Sequence, residues 1–129
     1  MAAAKAVTRG LSVEVESFYV AENSTPAEEH YFFAYHVTIV NEGDAPVQLV
    51  SRRWVITDAN GHEEIVEGEG VVGEQPMLAP GEGFQYTSFC PLSTPAGTMS
   101  GHYRMIDSKG REFEAEIPVF SLNVPGSMN

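Results

Sequence analysis

Apolar residues recur at every second position over much of this chain, and nowhere do they keep helical spacing for ten residues. Leu11, Val13 and Val15 alternate with Ser12, Glu14 and Glu16, the pattern of a strand with one wet face. Asn23 to Glu29 is polar, holds Pro26 and reads as a loop. From Tyr31 to Val40 the alternation puts Tyr31, Phe33, Tyr35, Val37 and Ile39 together, and five large apolar side chains make that face core. His30, Phe32, Ala34, His36 and Thr38 share the other face. After a turn at Asn41 to Pro46, Val47 to Thr57 is a strand carrying Trp54 and Ile56. Asp58-Ala59-Asn60-Gly61 supplies hairpin chemistry, because Asn and Gly accept positive φ at low cost. A short return strand lies around His62 to Val66.

A glycine-rich segment, Glu67 to Gly83, precedes the strand Phe84 to Cys90. Pro91 to Gly97 is a loop, and Thr98 to Asp107 and Arg111 to Phe120 form a last hairpin around Ser108-Lys109-Gly110. Met99, Tyr103 and Met105 point one way on its first strand, and Phe113, Ala115 and Ile117 alternate with glutamates on its second. About seven strands of this kind predict an all-β, antiparallel sandwich of immunoglobulin or fibronectin type III character. A small antiparallel barrel is the alternative. No linker, repeat or low-complexity run divides the chain, which reads as one domain over 1–129 with an ordered core at roughly 11–123.

Composition narrows the partners. Seven Lys and Arg face eighteen Asp and Glu for a formal charge of −11, and no Lys or Arg lies between Arg53 and Arg104. Duplex nucleic acid and anionic membrane surfaces need clustered cations, so neither is expected as a partner. Cys90 is the only cysteine, which excludes an internal disulfide and a Cys-based zinc cluster and fits a reducing compartment. The N-terminus lacks an apolar core of signal-peptide length, and no run approaches the roughly 20 residues of a membrane span. A cytoplasmic location is the expectation.

Gly68, Gly70 and Gly73 spell G-x-G-x-x-G, the spacing of a dinucleotide-binding turn. That turn must open a helix whose N-terminus faces the anion, yet Pro76 and Pro80-Gly81 follow too closely for one. Glu67, Glu69 and Glu74 would also crowd a phosphate. The segment reads instead as a long crossover between sheets, with Val71, Val72, Met77 and Leu78 tucked beneath it and its exposed part, including Glu74 and Gln75, available for recognition. Arg52 and Arg53 would serve as counter-ions to nearby glutamates or would grip an anion at the sheet edge. His30 and His36 lie about 20 Å apart along one strand and cannot share an ion. His62, Glu63 and Glu64 are the weak candidates for a divalent cation. Cys90 sits where a small buried residue is common, Ser88 has no nucleophile elbow, and no carboxylate pair has a special setting, so no catalytic residue is assigned.

Further words match a known family. Arg53-Trp54 running to Ile56-Thr57-Asp58 and Gly61, then Val66 through Pro76, then Pro80-Gly81, resembles the ApaG (CorD) family. The match continues through Tyr86-Thr87-Ser88, Cys90-Pro91-Leu92, Thr94-Pro95, Gly97, Met99, Gly101 and Tyr103 to Phe113, Ile117-Pro118 and Phe120 to Leu122. The resemblance spans roughly 11–123. It implies a fibronectin type III-like sandwich and a small bacterial protein of undefined biochemical activity. It also implies an association with cobalt resistance and magnesium efflux, and kinship with interaction domains of eukaryotic F-box and polymerase-delta-interacting proteins. A non-enzymatic adaptor without cofactors, binding an unidentified protein partner and able to pair with a second copy through its sheet edges, is the expected function. The alternative is a small-ligand binder, for a nucleotide pyrophosphate at Gly68–Gly73 or for a metal. A nucleotide hydrolase is the remaining enzymatic option.

Overall fold

The computed structural model describes residues 2–126. Among them are nine strands: β1 (Ala2–Thr8), β2 (Leu11–Tyr19), β3 (Tyr31–Asn41), β4 (Val47–Asp58), β5 (Glu63–Glu69), β6 (Met77–Leu78), β7 (Gly83–Leu92), β8 (Ala96–Asp107) and β9 (Glu112–Asn123). They build two antiparallel sheets, one ordered β1-β2-β3-β7 and the other β5-β4-β8-β9, with β6 added beside β4. The expected sandwich is therefore present, with two strands more than alternation suggested. β1 escapes a pattern search because Ala2 to Ala6 is alanine-rich and carries little strand propensity. It is fixed by a two-residue turn at Arg9-Gly10, both with positive φ (49° and 81°), which pairs Thr8 with Leu11. β6 is only two residues long and is held by pairing with Val47 and Gln48.

The inner faces follow the alternation. Val13, Val15, Val37, Ile39, Leu49, Tyr103, Met105 and Ala115 are fully buried, and Phe33, Tyr35, Trp54, Met99, Ile117 and Phe120 complete one core. Trp54 stands at its centre, edge-on to the rings of Tyr35, Tyr103 and Phe120 at centroid separations of 5.1, 6.4 and 5.9 Å. Bulges interrupt the ladders between Leu49 and Ser51 on β4 and between Met99 and Gly101 on β8. A bulge of this kind bends its strand and increases the local twist.

The two long sides of the sandwich differ. On one, β1 and β2 pack along β9, and the Ser17 hydroxyl donates to the Ser121 carbonyl at 2.7 Å while the Glu116 amide donates to Thr8 Oγ1 at 3.0 Å. On the other, β5 and β7 are the outermost strands of their sheets and no ladder joins them. That open side positions everything that follows.

Candidate functional site

The glycine-rich segment begins as strand. β5 continues through Glu67, Gly68 and Glu69, and Gly68 pairs with Arg52 of β4. Gly68 is tolerated there because the Arg52 guanidinium lies across its bare Cα; a Cβ would sit 2.8 Å from Nη2. Arg52 Nη1 then donates to the carbonyls of Glu69 (3.1 Å) and Gly70 (2.8 Å), closing the end of the strand. The Gly70 amide donates to the Val50 carbonyl at 2.8 Å. Next comes a two-residue hairpin: Val71 N–H reaches the Glu74 carbonyl at 2.8 Å and Glu74 N–H returns to the Val71 carbonyl at 2.9 Å. Val72 and Gly73 at its tip have φ of 43° and 83°, the geometry of a type I′ turn. The glycine spacing thus ends a strand and forms a hairpin tip, and no helix follows it among the described residues.

The remaining contacts fasten this hairpin. Gln75 Nε2 donates to the Val50 carbonyl at 2.9 Å, Gln48 Nε2 donates to the Gln75 carbonyl at 3.2 Å, and the Leu49 amide donates to the Pro76 carbonyl at 3.0 Å. Val71 and Leu78 are buried as expected, but Val72 and Met77 are not: they are 56% and 68% exposed. Met77 faces out because it alternates with the buried Leu78 on β6, and Val72 because it stands at the turn tip. Of the paired arginines, Arg53 lies on the outer face with its Nε 3.4 Å from Glu67, a solvated pair of small energetic value. Arg52 and Arg53 do not converge, and the Arg52 contacts described are to backbone carbonyls rather than to a glutamate.

Beside the hairpin, the open side of the sandwich forms a slot. A cavity of about 250 Å³ lies between the β5 and β7 edges, floored by Tyr35, Trp54, Met99 and Cys90 and walled by Arg52, Ile56 and Val66. A smaller recess of about 80 Å³, lined by Asp58, His62, Glu64 and Leu92, adjoins it. Ile56, Glu64 and Pro91 line both. Local alternation cannot reveal this slot, because its two walls come from strands that meet only through the topology.

A family model described as the ApaG domain matches residues 21–107. Protein ApaG of Brucella canis is 57% identical over 120 residues, covering 93% of this chain and 92% of that one. The chain belongs to the ApaG family. Protein ApaG of Anaeromyxobacter dehalogenans is 55% identical over 124 residues, covering 96% and 98% of the two chains. Among solved structures, an ApaA protein of Bordetella pertussis superposes with a TM-score of 0.88 at 50% identity, over 91% of this chain and 95% of the other. The C-terminal domain of Wzt superposes with a TM-score of 0.57 at 11% identity, over 98% and 80%, a likeness of fold alone.

In this ApaG domain the histidine and acidic candidates are dispersed. His62 and Glu64 share the small recess, while Glu63 is the neighbouring residue on the strand and faces the opposite way. His36 lies on the outer face of β3, with Nδ1 2.9 Å from Thr87 Oγ1 and Nε2 3.1 Å from Gln85 Oε1. His102 pairs with Glu114 at 3.2 Å. Among the described residues no three His, Cys, Asp or Glu side chains converge as a metal site would require. No helix among them is long and apolar enough to cross a membrane.

The buried hydroxyls and thiol of the ApaG core are held protonated. Tyr86 and Tyr103 share a hydrogen bond between their hydroxyls, and burial drives both above the ordinary tyrosine range. Burial, with a smaller push from the Glu64 charge, raises the Cys90 thiol from 9.0 to about 11. Each of these groups is neutral when protonated, and its native pKa exceeds its unfolded one. The linked stability is complete below the unfolded pKa and is lost as pH rises through the native value. Urea midpoints should therefore fall between pH 9 and about 11. In the native state at pH 8, Cys90 should react with a thiol reagent far more slowly than in urea. Equal rates would show that the slot floor opens freely.

Proposed function

We propose that this protein is a non-catalytic binding module of the cytoplasm that recognises a protein partner through the Gly70–Gln75 hairpin and the sheet edges beside it. The observation that carries the proposal is Val72. A β-branched residue in the left-handed region is an outlier, disfavoured by about 1–2 kcal/mol, and here its apolar side chain is also 56% exposed at a turn tip. The backbone around it is over-determined by Arg52, Gln75 and the buried Val71. A rigid, strained tip bearing an exposed apolar side chain suits recognition more than stability.

Two outcomes check this. Val72→Asn relieves the strain and should raise stability by about 1 kcal/mol, read as a higher urea midpoint at unchanged slope. Affinity capture from a cell extract, using wild-type protein and a variant with Gly68–Gly73 replaced by a plain Asn-Gly hairpin, should recover a partner with wild type alone. Equal recovery by both would remove the hairpin as the recognition surface.

The absence of catalysis is supported by the burial of Cys90 and by the dispersal of the histidines and carboxylates. The cation homeostasis associated with the family would then reside in the partner. NMR titration with ATP, Mg²⁺ or Co²⁺ should leave Gly68, Gly70, Gly73, His62, Glu63 and Glu64 unshifted. Saturable shifts at those glycines would restore a phosphate site, and shifts at the last three a metal site.

A further inference from the structure

We propose that an extended, cationic segment of a partner protein adds to the free edge of β7 as a further strand, filling the slot between β7 and β5. The proposal rests on the reading of this protein as a protein-binding module and names the site and the chemistry of what docks there.

The edge itself is the first observation. β7 is ten residues long, outermost in its sheet, and contains no charged residue in its sequence GFQYTSFCPL. Exposed edges are ordinarily blunted by charge, proline or brevity, and here Pro91 near one end is the sole such device. Asn41 fixes which backbone groups face out. Its amide donates to the Glu82 carbonyl and its carbonyl accepts from the Gly81 amide, so Asn41 points toward the β7 side. Alternation along the ladder then has Ile39, Val37, Tyr35 and Phe33 bonded to Phe84, Tyr86, Ser88 and Cys90. Gln85, Thr87 and Phe89 are left with both N–H and C=O turned away from β3, where no described strand lies.

Side chains on both faces of that edge suit an added strand. An incoming segment would place alternate residues over the slot, against Trp54, Ile56, Val66 and Cys90. Its other residues would fall beside an outward aromatic group. Phe89 is 57% exposed, stacks on Phe32 at 5.4 Å, and shares a cross-strand row with Ala34 and Phe18. Exposed aromatics bordering a free edge mark an interaction surface.

Charge selects the occupant. The β5 wall turns Glu64 into the slot, Asp58 lines the adjoining recess, and no Lys or Arg lies between Arg53 and Arg104. Arg52 does line the slot, but its Nη1 is directed to the Glu69 and Gly70 carbonyls. A second copy would bring another chain of formal charge −11 to this edge, which disfavours self-pairing. An extended segment carrying Lys or Arg among apolar residues would meet both the apolar floor and the carboxylates of Glu64 and Asp58, on a chain of formal charge −11.

The test uses the full chain and a synthetic heptapeptide of alternating lysine and valine, followed by NMR. Saturable shifts and slowed amide exchange at Gln85, Thr87 and Phe89 are expected. Thr87→Pro removes one outward donor, leaves the backbone bonds to β3 in place at the loss of the His36 side-chain contact, and should weaken binding at least tenfold. The same peptide with two central prolines, which leaves the protein unaltered, should also bind at least tenfold more weakly, as should a glutamate-for-lysine version. Silence at millimolar peptide, or equal binding by the proline forms, would overturn strand addition. Shifts confined to Gly70–Gln75 would do the same while leaving the module reading intact. A wild-type dimer in sedimentation that Thr87→Pro abolishes would make the occupant a second copy and overturn the cationic segment.

Discussion

Replacing Gly101 with alanine should lower stability by about 3–5 kcal/mol, a large share of the roughly 5–15 kcal/mol that holds a typical domain folded. Gly101 sits at the β8 bulge, between Trp54 of β4 and Ile117 of β9. Its φ is 154°, which L-residues rarely adopt. A Cβ there would run into the Arg53 carbonyl oxygen and lie 3.2 Å from the Trp54 Cα, so the obstacle is backbone of the central strand. Backbone cannot swing aside as a side chain can. The sheet must either open between β4 and β8 or lose the bulge, and both displace Trp54. Urea denaturation followed by circular dichroism checks this, and the expectation fails if Gly101→Ala unfolds within about 1 kcal/mol of wild type. Gly73→Ala is the control: nothing lies within 4 Å of the methyl it would add and only its φ of 83° is strained, so about 1 kcal/mol is expected.

Trp54→Ala should cost a similar amount for a different reason. Trp54 is 2% exposed and bridges the two sheets through Tyr35, Tyr103 and Phe120. Removing it deletes a large apolar surface and leaves a void that such packed neighbours collapse into only partly. Substitutions of this class cost about 3–5 kcal/mol. Trp54→Phe keeps the edge-on ring contacts and should lose less than half as much. Because Trp54 is the chain's only tryptophan and floors the slot, its fluorescence in the wild type reports both unfolding and occupancy of the slot. A change in that emission on peptide binding, with no change in far-ultraviolet dichroism, is the signature expected of docking.

Fold and site are unequally legible in the sequence. Alternation from Tyr31 to Ile39 and from Phe113 to Ile117 states which side is wet, and the buried residues follow it. The strand at Ala2–Thr8 gives no such cue, since alanine is indifferent to burial and the pairing depends on two positive-φ residues at Arg9-Gly10. At Gly68–Gly73 the composition suggests a loop throughout, yet Gly68 is strand because the Arg52 side chain occupies the space its own side chain would need. The hydrophobicity of Val72 argues for burial, whereas the turn geometry forces it outward. The slot has no local signature at all. Trp54 and Cys90 are 36 positions apart, on strands that share no ladder, and only the strand order brings them to one cavity.

The closed side of the sandwich sets a constraint on how the chain is made. Thr8 meets Glu116 and Ser17 meets Ser121, contacts 108 and 104 residues apart in sequence. Until β9 leaves the ribosome, the first hairpin lacks the strand it packs against. The core therefore cannot close until β9, more than a hundred residues after β1, has been made. Pairings this distant make folding slow, in the range of milliseconds to seconds. Through that interval the uncharged β7 is already synthesised, so its free edge is on offer to other chains before the fold is complete.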